Sequence, residues 1–186
     1  MHKNRDAALV NDCKKGDRRA MSQLVSHYQR PVFNAAYRIL GNSDDAADVT
    51  QTVFLKVFEH IADYDPRFKF FSWVYRIAIN ESLNQLKKRQ NQEPLGDSQV
   101  SPWQSPAEEL DTRWLCNRVQ RALMMLNSDY RTVVVLKHIS GCSYRQISEI
   151  LQVPEKTIKS RLYSARQLMK KTLESDDSRK EGLGWS

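Results

Sequence analysis

Apolar residues recur along this 186-residue chain at three- and four-residue intervals, the period of a helix, and strand-like alternation is scarce. The spacing predicts a first helix over residues 6–15, stopped by Gly16. Asp17 can cap a second, with Met21, Leu24, Val25, Tyr28, Val32 and Ala36 at i, i+3, i+4, i+7 spacing. Pro31 is expected to kink or interrupt it, because proline lacks an N–H and crowds the carbonyl four residues back. Gly41-Asn42-Ser43 reads as a stop followed by a new cap, opening a third helix over 44–61. Residues 64–71 read as a loop broken at Pro66. A fourth helix follows, with Ser72 as its N-cap. In the second half the pattern predicts helices over 113–126, 129–139, 144–151 and 155–173, then a polar tail that frays.

The fourth helix is unusual. In FKFFSWVYRIAINESLNQLKKR (68–89), a helical wheel puts Val74, Tyr75, Ala78, Ile79, Leu83 and Leu86 on one broad side, an ordinary core face. The other side carries Trp73, Ile77, Asn80 and Asn84, flanked by Arg76, Lys87 and Lys88. A solvated face has no use for Trp and Ile. A face that stacks bases, hydrogen-bonds their edges and neutralises phosphate uses this mixture. The competing reading packs Trp73 and Ile77 against a neighbouring helix and leaves the lysines solvated.

Charge shifts the balance. The formal net charge is +7 and the pI about 9.4, which favours an anionic partner, nucleic acid before a membrane surface. Residues 1–90 hold 15 Lys+Arg against 10 Asp+Glu, residues 91–112 none against 5, and residues 113–186 14 against 7. Residues 91–112 also contain Pro94, Gly96, Pro102 and Pro106. They read as an acidic flexible linker between two basic domains, 1–90 and 113–174, with a flexible tail over 175–186. Fully extended, such a linker reaches roughly 75 Å, but as a random coil it averages only about 26 Å.

Other chemistry is sparse. No apolar run approaches a membrane span, and the first residues lack a signal-peptide core, so direct membrane insertion is not expected and a cytoplasmic location is. Cys13, Cys116 and Cys142 are widely spaced, which disfavours a disulfide framework. His138 and Cys142 are four apart, but Gly141 between them ends a helix, so no metal or other cofactor is expected. No nucleophile–base pair, paired carboxylates or phosphate-cradling glycine loop suggests an enzyme or a small-molecule substrate.

The second basic domain holds a two-helix pattern. In SYRQISEILQVPEKTI (143–158), Ile147, Leu151, Val153 and Ile158 supply inter-helix contacts, Ser148 is small where helices approach, and Pro154 suits a helix start. On the following helix Ile158, Leu162, Ala165 and Met169 form an inner stripe. Lys156, Ser160, Tyr163 and Gln167 lie opposite, flanked by Lys159, Arg166 and Arg161. This is the layout of a helix-turn-helix whose second helix enters a major groove. The alternative is a basic amphipathic helix that binds nothing.

Together these segments resemble the extracytoplasmic-function group of sigma-70-type transcription initiation factors, over residues 5–173. DDAADVTQTVFLKVF (44–58) resembles the family's polymerase-binding helix, FFSWVYRIAIN (70–80) its minus-10 segment, and SYRQISEILQVPEKTIKSRLYSARQLM (143–169) its minus-35 helix-turn-helix. The resemblance implies an all-α fold of two small helical domains. It implies core RNA polymerase and promoter DNA as partners, with an anti-sigma factor that masks the chain's surfaces for both and can tether it at the inner membrane. Asp48, Gln51, Phe54 and Leu55 then fall on the polymerase-gripping surface. Trp73, Arg76, Ile77 and Asn80, extended by Asn84, Lys87 and Lys88, meet the opened minus-10 strand, and the loop 64–71, with Tyr64, Phe70 and Phe71, cups a flipped base. Lys156, Lys159, Ser160, Arg161, Tyr163 and Arg166 read the minus-35 element. The chain departs from the family at Thr52, where an acidic residue is usual, at the loop Pro66-Arg67-Phe68-Lys69, which lacks a glycine, and at Gln152, where glycine is common. The rival reading is a helix-turn-helix regulator that never joins the polymerase. A metal-dependent nuclease is disfavoured by the lack of clustered ligands.

Overall fold

The computed structural model describes residues 2–92 and 110–181, and side chains within 6–91 and 114–175. Among these residues every regular element is helical: α1 His2–Lys14, α2 Arg18–Leu40, α3 Ser43–Glu59, a 3₁₀ turn Ile61–Asp63, α4 Phe70–Gln92, α5 Leu110–Met124, α6 Ser128–Val134 continued by a π turn Val135–Ile139, α7 Tyr144–Leu151 and α8 Glu155–Glu181.

Local chemistry sets the ends. The Asp17 carboxylate accepts from the N–H groups of Arg19 and Ala20 at 2.7 and 3.3 Å and starts α2. Gly41, at φ 73°, closes α2 in the left-handed region that other residues enter at a cost. Asn42 then caps α3, accepting from Asp44 and Asp45. The two aspartates also meet the positive end of the helix dipole.

Several expectations are corrected. Pro31 does not interrupt α2, which runs unbroken to Leu40. Tyr28, Val32, Ala35 and Ala36 around it are all buried, and tertiary packing holds the helix through the proline. Ser72 is not an N-cap. The fourth helix begins at Phe70, and the N–H of Trp73 already bonds to Lys69 O at 3.2 Å. Ser72 is instead buried inside the first turn. The third helix ends at Glu59, two residues early. Residues 91 and 92 belong to α4 and residues 110–112 to α5, while the middle of the expected linker, 93–109, lies outside the described residues. The α8 helix extends to Glu181, past the point where a frayed tail is expected.

The N-terminal bundle packs α1–α4 around Leu24, Tyr28, Val32, Val53, Val57 and Val74. The C-terminal half packs α5–α8 around Leu123, Val133, Leu136, Ile147, Ile158 and Leu162. Sequence reading assigns each half its own core. In the structure Ala35, Ile39, Tyr75 and Ile79 of the N-terminal bundle are buried in the second cluster. The two halves lie against each other along a seam of α2 and α4 on one side and α5, α6 and α7 on the other.

Candidate nucleic-acid interface

The α4 helix is presented in two parts. Around its N-terminus the aromatic residues form a knot. Phe70 lies edge-on to Tyr28 and Tyr64 at 5.5 and 5.4 Å and meets Trp73 at 5.6 Å. Tyr64 donates its hydroxyl to Phe68 O at 2.6 Å. Tyr64 and Phe70 are buried and Trp73 half-buried, so they shape the loop 64–69 from behind. Lys14 donates to the carbonyls of Ala62 and Tyr64 and pins the loop's entry. Arg67 bonds Asp65 at 2.7 Å, which holds that carboxyl below its ordinary pKa. The loop displays Phe68 and Lys69 outward. A cavity of about 790 Å³ opens beside it, lined by His27, Tyr28, Tyr64, Phe68 and Phe71, and by Gln146 of α7.

Further along α4 the outer side changes character. Ile77 is half-buried against the first cluster, whereas Asn80, Asn84, Lys87 and Lys88 are exposed. Arg76 faces the seam, donating to Glu149 O of α7 at 2.6 Å. Phe71 is half-buried and stacks on Tyr75 at 4.2 Å. The opposite face of α4 is tied to α3 through Lys56–Glu81 at 2.8 Å and through Arg89 and Gln85 on Asp45, so the strip is mounted on a braced helix.

On α3, Asp48, Gln51 and Leu55 are exposed at i, i+3, i+7 spacing. Leu55 is 70% exposed, an apolar side chain with no role in this fold's interior. Phe54, placed with them by sequence, is buried in the first cluster and stands beneath that surface.

In the C-terminal half the helix-turn-helix is built from its turn. Ser143 accepts from Gln146 N and the Gln146 side chain accepts from Ser143 N, a capping box that starts α7. The S-x-x-Q pattern carries that signal in the sequence. Ser148 donates to Val153 O at 2.6 Å and ties α7 to the turn, more than the smallness expected of it. Gln152 occupies the left-handed region at φ 57° where glycine is free. Replacing Gln152 with glycine is expected to stabilise the chain by about 0.5–1 kcal/mol, raising the melting temperature by roughly 1–4 °C, measured by circular dichroism.

The buried stripe of α8 is Ile158, Leu162 and Ala165, with Met169 packed beside it. Lys156, Lys159, Ser160, Tyr163 and Arg166 are exposed, Tyr163 at 68%. Arg161 differs: it is half-buried and pairs with Asp129 of α6 at 2.6 Å. Two supports have no local signature in the sequence. Lys159 sits 5.6 Å from the Tyr144 ring centre, and Lys137 lies 4.7 Å from the same ring. Arg166 lies 3.2 Å from His138 Nε2, a nitrogen that accepts only in the neutral ring. Partial burial, then the charges of Arg166 and Lys137, hold His138 below its ordinary pKa and keep it neutral. Cys142 is buried, which pushes its thiol pKa to about 12, away from the thiolate a metal needs. Among the described residues no group of three His, Cys, Asp or Glu could hold a metal.

Two helical halves, one with an amide-and-lysine strip and one with a helix-turn-helix, match known families in the same order. Residues 24–92 match Sigma-70 region 2 and residues 116–169 match Sigma-70 region 4. The pairing defines a sigma-70-type initiation factor. The chain is 31% identical over 176 residues to the ECF RNA polymerase sigma factor SigW of Bacillus subtilis, covering 88% of this chain and 94% of that one. The fold is shared with CnrH solved with the cytosolic domain of CnrY (TM-score 0.72, 24% identity, 92% of this chain and 98% of that one). It is shared also with the sigma factor RpoE solved with the anti-sigma factor NepR from Bartonella quintana (TM-score 0.69, 24% identity, 83% and 97%). The chain belongs to the extracytoplasmic-function group of the sigma-70 family: it is an RNA polymerase sigma factor, a transcription initiation factor rather than an enzyme.

Proposed function

We propose that the N-terminal bundle contacts the opened minus-10 strand through α4 and the loop 64–69, and that α8 reads the minus-35 duplex. The observation that carries this is the split of α8: its apolar stripe is used in packing, while Lys156, Lys159, Ser160, Tyr163 and Arg166 are exposed on the opposite side. Short polar groups between cations can meet base edges while the flanks hold phosphate. Arg161 contributes to that surface once it leaves Asp129. On α4, Asn80 and Asn84 offer amides to unpaired bases and Lys87 and Lys88 offer charge to the backbone. The exposed side of α3, with Asp48, Gln51 and Leu55 over Phe54, suits core polymerase.

Strand opening is a shared task. Flipping a base costs a few kcal/mol, and stacking it on an aromatic returns about 1–3 kcal/mol. One stack cannot open a promoter, so several contacts act together with the polymerase, and the chain alone binds promoter DNA weakly. The double replacement Lys159→Ala/Arg166→Ala is expected to weaken minus-35 duplex binding by the polymerase complex about tenfold. It should also reduce the slope of log K against log salt by roughly 1–2, since each phosphate contact contributes about 0.9. Unchanged affinity in a salt-titrated fluorescence anisotropy assay would remove α8 from the groove.

The same reading includes a protein partner of the anti-sigma class, supported by the fold relatives solved with the cytosolic domain of CnrY and with NepR. No helix among the described residues is long and apolar enough to cross a membrane. We place the chain in the cytoplasm, where polymerase and promoter are, and at the inner membrane only through a membrane-bound partner.

A further inference from the structure

The cations that flank the reading side of α8 are held in two different ways. Arg161 pairs with the carboxylate of Asp129 at 2.6 Å, which offsets its charge toward an anion. Lys159 and Arg166 are held by neutral groups. Lys159 lies 5.6 Å from the centre of the Tyr144 ring, and Arg166 donates through Nη2 to His138 Nε2 at 3.2 Å. A neutral acceptor fixes a guanidinium in place and leaves its whole charge for phosphate. His138 reaches this position through a break in helical period. In the π turn Val135–Ile139 the N–H of Ser140 bonds five residues back, to Val135 O at 3.0 Å, where an α-helix would bond to Leu136. Single wide turns of this kind gather at functional sites. His138 and Ile139 are exposed at its end, on an apolar groove of about 500 Å³ that they share with Arg166, Met169 and Leu173 of α8.

We propose that His138 is a positioning residue of the minus-35 reading face: its neutral ring accepts from Arg166 and aims the guanidinium at DNA, which sharpens sequence discrimination, and its protonation exchanges that discrimination for non-specific charge. Both effects rest on the assignment of α8 to the minus-35 duplex. A free arginine gives up rotamer freedom when it binds. Held by His138, Arg166 has given up part of it before DNA arrives. One of its five N–H donors is used, and the others suffice for a bidentate contact with a base edge or a phosphate. A protonated ring has no acceptor at Nε2. It turns a hydrogen bond into repulsion between two cations, releases Arg166, and adds a charge that phosphate attracts whatever the sequence. The charged groups around the ring are Arg166, Lys170 and Glu174 of α8 and Lys137 of its own turn, with Lys170 and Glu174 paired at 3.7 Å. The helices α2, α6 and α7 pack on the turn and bring Ile39, Val134 and Ile147 to its apolar cluster. Partial burial, then Arg166 and Lys137, hold the ring's pKa below its ordinary value. The acceptor is therefore present through the neutral range and is lost as pH falls through a window below it. Bound phosphate favours the charged ring and moves that window upward.

Fluorescence anisotropy with the polymerase complex tests this. The probes are a labelled duplex carrying only the upstream element of a promoter that the chain transcribes and a scrambled duplex of equal length, and the readout is the ratio of their dissociation constants. At about pH 8, His138→Ala is expected to lower the ratio about two- to tenfold, the cost of ordering one rotamer-rich side chain. His138→Gln should keep it, because an amide oxygen accepts from Arg166 at any pH. Between about pH 8 and about pH 5.5, the parent's ratio should fall by the same factor, while binding to the scrambled duplex tightens and its salt slope steepens by about 0.9. His138→Gln should show neither change, and titration of the polymerase itself is common to both. A ratio unmoved by His138→Ala, or a pH response that His138→Gln retains, would overturn the inference. His138 is exposed, so neither replacement opens a cavity, and circular dichroism checks the folding of both. If His138→Ala fails to fold, the pH profiles of the parent and His138→Gln still decide. Arg166→Ala separates this inference from the reading beneath it. A ratio lowered by Arg166→Ala but not by His138→Ala would leave α8 in the groove and remove His138. A ratio unmoved by both Arg166→Ala and Lys159→Ala would overturn the minus-35 assignment, and the role of His138 with it.

Discussion

Arg131→Ala is expected to unfold the chain roughly 10 °C earlier than the unsubstituted protein. The guanidinium of Arg131 donates to four carbonyls: Leu123 and Met124 at the end of α5, Leu126 in the turn after it, and Ile39 at the end of α2. Helix C-termini carry unsatisfied carbonyls and partial negative charge, and one planar cation here serves two of them. Burial lowers its pKa below the usual arginine value, which records the cost of desolvating the charge. The hydrogen bonds offset that cost only while all are made. Truncation leaves the carbonyls without their donor, about 3–5 kcal/mol in total, and 1 kcal/mol moves the midpoint of a chain this size by about 2–4 °C. Arg131→Lys should recover little, because a single ammonium cannot span two helix ends. Thermal melts followed by circular dichroism check both variants. A melting point within 2 °C of the parent for Arg131→Ala would show that water replaces the guanidinium freely.

Asn80→Ala is expected to leave folding and core-polymerase binding unchanged and to lower promoter opening by about ten- to a hundredfold. Asn80 is exposed and takes no part in either hydrophobic cluster, so its loss opens no cavity. A bidentate amide–base contact discriminates by about 1–3 kcal/mol, which sets the range. Opening is read by a fluorescent base analogue in the minus-10 element, and core binding by native electrophoresis. Loss of core binding in this variant would make Asn80 a structural residue, and full opening would remove it from the strand.

How much of this was legible in the sequence differs by element. Asp17 as a cap and Gly41-Asn42 as a stop and restart follow from short-range chemistry, and the structure has them. The α8 stripe follows from its period, because one face of that helix meets the core made with α5, α6 and α7. Pro31 does not break α2, since propensity argues from the isolated helix and the packing of Tyr28, Val32 and Ala36 outweighs it. Ser72 does not cap α4: a side chain that can cap need not, and Lys69 supplies the carbonyl that starts the helix earlier. The seam was not legible. Tyr75 and Ile79 share a continuous apolar side with Val74 and Ala78, and nothing local says that the first pair meets the distant half while the second meets its own. The same limit hid the partner of Arg76, whose acceptor is a backbone carbonyl that any sequence at Glu149 would supply. Trp73 and Ile77 are half-buried against the bundle, at one end of a strip whose exposed end is Asn80 to Lys88.

Run-off transcription with purified core polymerase and genomic fragments tests the central claim most directly. Adding this chain is predicted to produce discrete transcripts from a small set of fragments. Their start sites should share an upstream pair of elements about one and a half turns apart, and the same reactions with Asn80→Ala should yield little product. Transcripts that do not depend on the chain, or that survive Asn80→Ala and Lys159→Ala/Arg166→Ala unchanged, would contradict the account.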